Sequence, residues 1–474
     1  MHTFSLANSP SRFYVITAVV TCLFISLLIA FYSTGVAAAL VLGGAVAIIG
    51  MVRFEALIHA MIILLPLQSA LPVSLKSFGV LNPFNLLAVA MTSVWLVNAI
   101  LKRRRLIQSS WMNIVLLFFV LACLGALVNS AATIGSWFMF EQLNPLKRWL
   151  SPILLFFPIA NSNLDRPAIK RLLMTTIAMT LVITLMTVWD LNAYGFHNIN
   201  YGTRFGGPFG IGGENDLAAF FVFYPVIALA IALNHKNLIM KAVLGGVFAL
   251  SLIPLIFSLS RGAYLGLVAV ILFLSVVRFR WMLPFIIVAA VTYEAWAPGI
   301  VQTRVEATTV TSNELVGGRV PAPDEMERGL ETSSAQRIRI WRGGWRIIQD
   351  RPIVGMGYNT FRYTVPKYAN MEWGMDAHNM YLRVGAEMGV SGLIIFLLLL
   401  LVPFGAMAHV YRTTGNRLIQ GWMLGGMACI VGIFVVNVFG SRFVREELVG
   451  LYWVNVALTF AYIFLRRRRL FSKQ

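Results

Sequence analysis

The residue best suited to proton transfer is His378, which follows the longest polar segment and precedes an apolar block. Its neighbours are Asp376 and Asn379 in the run DAHN. A neutral imidazole near the start of a helix can act as a general base, and a nearby carboxylate can orient it. Glu387 is placed to pair with an arginine or to hold the start of that helix. The alternative is a packed interfacial histidine, and the residue types leave both interpretations open.

Two arginines form the second candidate group, because each lies in a short segment between apolar runs. Arg204 begins the glycine-rich stretch RFGGPFGIGGENDLA, and Arg261 lies in SLSRG, between runs joined by almost no loop. Glycines allow tight turns and close approach to a ligand, and Asn215 or Asp216 can cap the following helix. A guanidinium beside a helix N-terminus suits an anion such as phosphate. The alternative for either arginine is contact with lipid headgroups.

The elements that position these residues are apolar helices long enough to cross a bilayer. Of the 474 residues, 58% are hydrophobic, against about half in soluble proteins, and many apolar runs approach or exceed the roughly 20 residues that a transmembrane helix needs. The sequence therefore predicts an all-α polytopic membrane protein with about 12–14 transmembrane helices. The candidate spans are 13–32, 36–52, 55–71, 83–101, 111–128, 149–160, 172–190, 217–233, 241–258, 263–278, 281–296, 386–408, 418–439 and 448–465.

The basic residues indicate which helix ends face the cytoplasm. The net charge of +19 is concentrated in short clusters beside apolar runs, such as 102–105 and 466–469. If the N-terminus is cytoplasmic and the spans alternate, these clusters all fall inside, which is the positive-inside pattern. This placement favours membrane topology over nucleic-acid binding as the reason for the charge. It also puts His378, Arg204 and Arg261 outside and both termini in the cytoplasm.

The largest outside segment, 297–385, is expected to be a loop that contains short helices. Residues 335–350 have helical periodicity, with one apolar stripe and one basic stripe. Such a helix suits the membrane interface, with its arginines facing phosphate. The alternative is a helix that packs on the protein surface with solvated arginines. The apolar stripe consists of Ile338, Trp341, Trp345 and Ile348, and the basic stripe of Arg339, Arg342 and Arg346.

Metal and redox chemistry have no supporting residue pattern. Cys22, Cys123 and Cys429 lie in apolar runs, without the spacing of a metal or redox site. No His, Asp and Glu set has the spacing of metal ligands. We therefore predict no metal and no cofactor. The first apolar run lacks a small-residue cleavage site and is expected to remain as a helix.

With these residues identified, the chain resembles the O-antigen ligase and O-antigen polymerase family of bacterial envelope glycosyltransferases. Five stretches carry the resemblance, and they cover the chain from about residue 200 to 400. Their order, spacing and membrane side are specific in combination. They are RFGGPFGIGGENDLA at 204–218, SLSRG at 258–262, RIWRGGW at 339–345, DRPIVGMG at 350–357, and AHNMYL followed by EMGVSG at 377–392.

The resemblance implies a metal-independent, inverting transfer of a glycan from undecaprenyl diphosphate to an acceptor sugar. The acceptor is lipid A–core in a ligase and another lipid-linked repeat unit in a polymerase, and the sequence leaves both open. The family's two functional arginines then correspond to Arg204 and Arg261, with Arg339 as a third diphosphate-binding cation, and its histidine corresponds to His378. The protein is expected in the bacterial inner membrane with a periplasmic active site.

A polysaccharide flippase or other transporter is the alternative from a different functional class. Transporters usually show repeat symmetry and polar residues near the middle of several spans, whereas polar residues here gather at the outer boundary. The residues expected to support the site are Asn215, Asp376, Asn379 and Glu387. The expected regions are 1–200 with N-terminal transmembrane helices, 201–296 with the helices that carry Arg204 and Arg261, 297–385 as a periplasmic loop, and 386–474 with C-terminal transmembrane helices.

Overall fold

The computed structural model describes residues 50–70, 82–199, 204–210, 212–299, 301–302 and 332–471. It is 81% helical, and the described ranges contain no strand, which confirms the predicted all-α polytopic class. The predicted span at 13–32, nearly all of the span at 36–52 and residues 303–331 of the long loop lie outside the described residues.

The helices follow the hydropathy pattern closely along the described chain. Their bounds are α1 Phe54–Leu67, α2 Pro83–Leu101, α3 Trp111–Thr133, α4 Ser136–Glu141, α5 Leu143–Leu154, α6 Phe156–Ala160, α7 Arg166–Tyr194, α8 Glu214–Phe223, α9 Pro225–Asn234, α10 Leu238–Phe257, α11 Arg261–Val277, α12 Leu283–Val291, α13 Tyr293–Trp296, α14 Thr332–Asp350, α15 Phe361–Ala369, α16 Met380–Thr413, α17 Arg417–Val436 and α18 Glu446–Phe471.

Within the described residues, eight helical stretches are long and apolar enough to cross a membrane. They are α2, α3, α7, α8 with α9, α10, α16, α17 and α18. The shorter apolar helices are α1, α11 and the segment Arg280–Val291 that contains α12. Each predicted span from 55–71 onwards therefore has a helical counterpart, although three of them are divided between shorter helices: 149–160 between α5 and α6, 217–233 between α8 and α9, and 281–296 between α12 and α13.

The division of the span at 149–160 has a covalent cause. Pro158 has no N–H for the carbonyl of Leu154, and its ring clashes with that carbonyl in a continuous helix, so α5 ends at Leu154. The two pieces still connect opposite ends of the bundle. Near one end, the Trp149 indole donates to the Phe443 carbonyl at 3.1 Å. At the other, the Asn161 side-chain oxygen accepts from the Gln108 N–H at 2.8 Å.

The most buried spans are α8 with α9, and α18, each with 89% of its apolar window inside the protein. Helix α17 packs closely on α9 because Gly421 and Gly425 lie one turn apart on the contact face. A Cβ at either glycine would lie 2.6 Å from the Cα of Ile231 or Ile227, respectively. Small residues four apart let helix backbones approach in this way. This packing fixes the positions of the helix ends that carry the candidate site.

The predicted cytoplasmic clusters gather at one end of the bundle. From α18, Arg466 donates to the Thr413 hydroxyl at 2.8 Å, Arg467 donates to the Ser109 carbonyl at 3.1 Å, and Arg468 contacts the Asn163 side chain. The four loops or ends involved are the ones that the alternating topology placed together. The candidate functional residues lie at the other end, near the starts of α11 and α16.

Helix α14 confirms the helix predicted at residues 335–350, but its buried face includes only Ile348 and part of Trp341 from the predicted apolar stripe. Ile340 and Ile347 are fully buried against α15, whereas Trp345 is 58% exposed. The glycines between the two isoleucines explain which face of α14 packs on α15. A Cβ at Gly343 would lie 2.7 Å from the Cβ of Ala369, so the glycine allows α14 to lie directly on α15.

Candidate active site

Arg261 is fixed by a three-residue turn between α10 and α11. Helix α10 ends at Phe257, Leu259 adopts a left-handed backbone with φ +52°, and Arg261 is the first residue of α11. A non-glycine residue in this conformation is uncommon and is held there by its surroundings; Leu259 is only 1% exposed. The guanidinium therefore starts from a rigid backbone beside a helix N-terminus, where anions are favoured.

Arg204 is held against the same turn. Its Nε and Nη2 donate to the Ser258 carbonyl at 3.1 and 2.8 Å. Nη2 also donates to the Asn215 side-chain oxygen at 3.0 Å, which accepts from the Ser260 hydroxyl at 2.8 Å. The two arginine motifs are thus joined by direct hydrogen bonds. Asn215 serves as this link and does not cap α8, whose N-cap is Gly213.

Four arginines line one crevice at this end of the bundle. Arg204 and Arg261 are joined there by Arg337 from α14 and Arg442 from the α17–α18 loop, around a narrow cleft with an internal volume of about 30 Å³. Among the described lining residues there is no Asp or Glu. Guanidinium groups are donors only, and phosphate oxygens are acceptors. We call the cavity lined by these four residues the arginine crevice. Its lining is suited to a highly charged oxyanion.

Asp216 positions Arg442, the fourth arginine of the crevice, through an ion pair. Its carboxylate is almost fully buried and accepts from Arg442 Nη1 at 2.8 Å and from Arg445 Nε at 3.0 Å. The sequence suggested Asp216 only as a possible cap for α8, and that interpretation is wrong because α8 already begins at Glu214. The carboxylate instead joins α8 to the loop between α17 and α18.

His378 lies beside the crevice in a left-handed conformation with φ +47°. Its backbone N–H donates to Asp376 Oδ2 at 3.0 Å, and its ring Nδ1 lies 3.9 Å from the same oxygen. The Ser441 hydroxyl also donates to this oxygen at 3.0 Å. Asn379 caps α16 by accepting from the Leu382 N–H at 3.0 Å. Asp376 and Asn379 thus fix the backbone on either side of the imidazole at the mouth of α16.

The surroundings of His378 keep its imidazole neutral. Burial is the largest effect and lowers the pKa of His378, the charge of Asp376 raises it in part, and the charges of Arg337 and Arg442 lower it further. Two arginines of the crevice therefore act electrostatically on the imidazole. For Asp376, burial raises the carboxyl pKa, but the charge of Arg383 and the His378 N–H bring it below its usual value. These shifts favour an ionised carboxylate beside a neutral imidazole.

One family of known proteins matches part of the chain. Residues 246–397 match the O-antigen ligase family model. The match covers about a third of the chain and includes Arg261, Arg337 and His378, while Arg204 and Arg442 lie outside it. No curated protein matches the chain. The match confirms the resemblance read from the sequence motifs and supports, in broad terms, a ligase-like or polymerase-like function.

Within the O-antigen ligase segment, Arg383 is a residue that the sequence reasoning missed. Its guanidinium lies 3.5 Å from Asp376 Oδ1 and 3.2 Å from Glu387 Oε1, and it donates to the Asn359 side chain at 2.7 Å. Glu387 therefore pairs with an arginine, which was one of its two expected roles. The sequence contains a signal for this pair. An arginine and a glutamate four residues apart lie on the same face of a helix, and ionisable residues near the start of a transmembrane helix usually have a functional role.

Arg339, by contrast, does not line the arginine crevice. Its Nε donates to the Ala369 carbonyl at 3.0 Å, and its Nη2 donates to the Asn370 carbonyl, so it binds the C-terminal end of α15. Arg337 lies in the crevice instead. Two residues along a helix are about 200° apart, so the two arginines of α14 point to nearly opposite sides. The third cation of the sequence analysis is thus replaced in our interpretation by Arg337.

Proposed function

We propose that this protein is an O-antigen ligase-like glycosyltransferase that moves a glycan from undecaprenyl diphosphate onto a lipid A–core sugar. The observation that carries the proposal is the arginine crevice with the His378–Asp376 pair beside it. The crevice supplies positive charge for a diphosphate, and the imidazole supplies a base for a hydroxyl. Both belong to chemistry in which a sugar leaves a lipid diphosphate and joins an acceptor oxygen.

The proposed step forms one bond and breaks one. The acceptor hydroxyl oxygen attacks the anomeric carbon, the bond from that carbon to the diphosphate oxygen breaks, and the leaving diphosphate takes the bonding electrons. Attack from the face opposite the leaving group inverts the anomeric centre. His378 receives the hydroxyl proton, since a neutral imidazole at this position can act as general base. Ionised Asp376 stabilises the imidazolium that results.

The arginine crevice provides the second contribution. Negative charge develops on the diphosphate as the glycosidic bond breaks. Preorganised hydrogen-bond donors stabilise such charge strongly in a site that excludes part of the bulk water. Four guanidinium groups can carry out this role without a metal ion, and metal independence is accordingly part of the proposal. In the described ranges, no group of three His, Cys, Asp or Glu side chains is arranged to hold a metal.

The crevice is proposed to open on the periplasmic side of the bacterial inner membrane. The support is that the basic clusters of the chain gather at the opposite end of the bundle, where Arg466 and Arg467 contact the loops after Thr413 and before Trp111. Positive residues in short loops favour the cytoplasmic side. Lipid-linked glycans that have crossed the membrane would then meet the crevice from the outer leaflet.

Deleting the gene tests the proposed reaction directly. If the protein is a ligase, the deletion strain accumulates full-length glycan chains that are not joined to lipid A–core, because polymerisation continues without the final transfer. The measurement is the electrophoretic profile of surface polysaccharide, with the wild-type gene returned on a plasmid as control. Lipid A–core that carries single repeat units would instead identify a polymerase, and an unchanged profile would contradict both.

Arg337 and Arg339 form a matched pair that tests the position of the crevice. We expect Arg337→Gln to lower glycan transfer about tenfold to a hundredfold, because it removes one charge-assisted contact with the diphosphate. Arg339→Gln should keep transfer within about twofold of the wild type, since its guanidinium binds the end of α15. Transfer rates at matched protein levels in membrane vesicles give the comparison. The reverse ranking would show that Arg339 is the donor cation.

A further inference from the structure

A second polar pocket lies on the far side of Asp216 from the arginine crevice. Its volume is about 260 Å³, and it is partly open to solvent. Tyr358 forms one wall, is 3% exposed, and stacks on Trp149 with ring centroids 5.8 Å apart. We call it the mixed-charge pocket after its charged and amide side chains, which are Arg148, Asn359, Arg383, Arg445, Glu446 and Glu447.

Two carboxylates connect this pocket to the proposed catalytic residues. Asp216 bonds through one oxygen to Arg442 of the crevice and through the other to Arg445 of the mixed-charge pocket. Asp376 contacts His378 through Oδ2 and Arg383 of the pocket through Oδ1. Asp376 therefore links His378 to the mixed-charge pocket through Arg383. The charges of Arg337 and Arg442 in the crevice lower the pKa of His378. Arg383 of the pocket contacts the Asp376 carboxylate.

The linings of the two cavities complement different chemistry. The arginine crevice offers guanidinium donors without a carboxylate among its described residues, which suits an anion that only accepts hydrogen bonds. The mixed-charge pocket offers guanidinium donors together with carboxylate acceptors and one amide. A sugar hydroxyl donates and accepts at once, so neighbouring hydroxyls satisfy both kinds of group.

We propose that the mixed-charge pocket binds the acceptor sugar, with its accepting hydroxyl directed toward His378. This inference rests on the proposed glycosyl transfer and adds the location of the second substrate. It separates the two substrates on either side of the base, with the diphosphate in the arginine crevice and the acceptor hydroxyls among the pocket's mixed charges. It applies equally to a lipid A–core acceptor and to a lipid-linked repeat unit, because both present sugar hydroxyls.

Arg148 and Glu447 are the residues to vary, because Arg148 is exposed and Glu447 is partly exposed. The assay uses purified protein in nanodiscs, undecaprenyl-diphosphate glycan from the gene-deletion strain, and lipid A–core from the same source. We expect Arg148→Gln and Glu447→Gln each to raise the KM for lipid A–core about tenfold, the effect of losing one charge-assisted hydrogen bond. The KM for the donor should change by less than about twofold.

The matched control is Arg342→Gln, which removes an exposed arginine of α14 outside both cavities. Size-exclusion profiles and thermal melting of each variant confirm that the protein is folded. An unchanged acceptor KM in folded Arg148→Gln and Glu447→Gln would overturn the inference while leaving the proposed function intact. Loss of affinity for the donor alone would also overturn it, by assigning the pocket to the lipid-linked glycan. Absence of transfer by the wild type would instead contradict the proposed function.

Discussion

Replacing Arg261 with Ala should lower glycan transfer by about a hundredfold to a thousandfold. Removing one preorganised charge-stabilising donor from a catalytic site has an effect of this size, and Arg261 is anchored at the first residue of α11 beside the buried Leu259 turn. Its position cannot be taken over by Arg204, which is already bonded to Ser258 and Asn215. The measurement is the single-turnover transfer rate of purified protein with saturating acceptor.

The chain offers a control on the same helix. Arg278 follows α11 at its other end, so Arg278→Ala removes an equal charge at the opposite end of the bundle and should leave the transfer rate within about twofold. Arg261→Lys should recover only a small part of the lost rate, because an ammonium lacks the two-pronged geometry that suits phosphate. Full activity in folded Arg261→Ala would remove the arginine crevice from the mechanism.

The His378→Gln variant should lose about a hundredfold to ten-thousandfold in the transfer rate at neutral pH. This is the range that a positioned general base contributes, and glutamine keeps a polar side chain of similar size but cannot accept the hydroxyl proton. Donor binding, measured by protection of the protein from thermal unfolding, should remain, since the imidazole does not line the crevice. A variant that transfers glycan at the wild-type rate would show that His378 is not the base.

The pH profile of the wild type gives an independent test of the same residue. The base must be deprotonated, so activity falls as the pH drops through the pKa of His378. Because burial together with Arg337 and Arg442 lowers that pKa, the acidic limb should lie below pH ~6.5. Asp376→Asn should move the limb to still lower pH, since Asp376 raises the pKa. A limb that stays in place in His378→Gln would assign it to another group.

The sequence was informative about residues whose role follows from local context. Arg261 and His378 could be selected as candidates by position and residue type. Arg261 lies in a loop too short to leave the membrane boundary, and His378 lies in DAHN before an apolar block. The helical spans were likewise predictable, because apolar runs near 20 residues have few other uses. Even the division between α5 and α6 follows from Pro158, once its missing N–H is considered.

Residues brought together only by packing could not be predicted in this way. Asp216 and Arg442 are 226 positions apart, and nothing local marks either of them as the other's partner. The position of Arg339 away from the arginine crevice could not be predicted for a related reason. Periodicity shows which side chains share a face of α14, but only the contact of Gly343 with α15 determines which face turns toward the crevice.

Asp216 also has a consequence for turnover. Four guanidinium groups that hold a departing diphosphate would hold the finished polyprenyl diphosphate just as firmly, and an enzyme must let its product go. In the proposed reaction, the buried carboxylate would compete with the bound product for Arg442, because it keeps one oxygen on that cation. Asp216 would thereby limit how long the spent lipid carrier occupies the crevice before the next donor arrives.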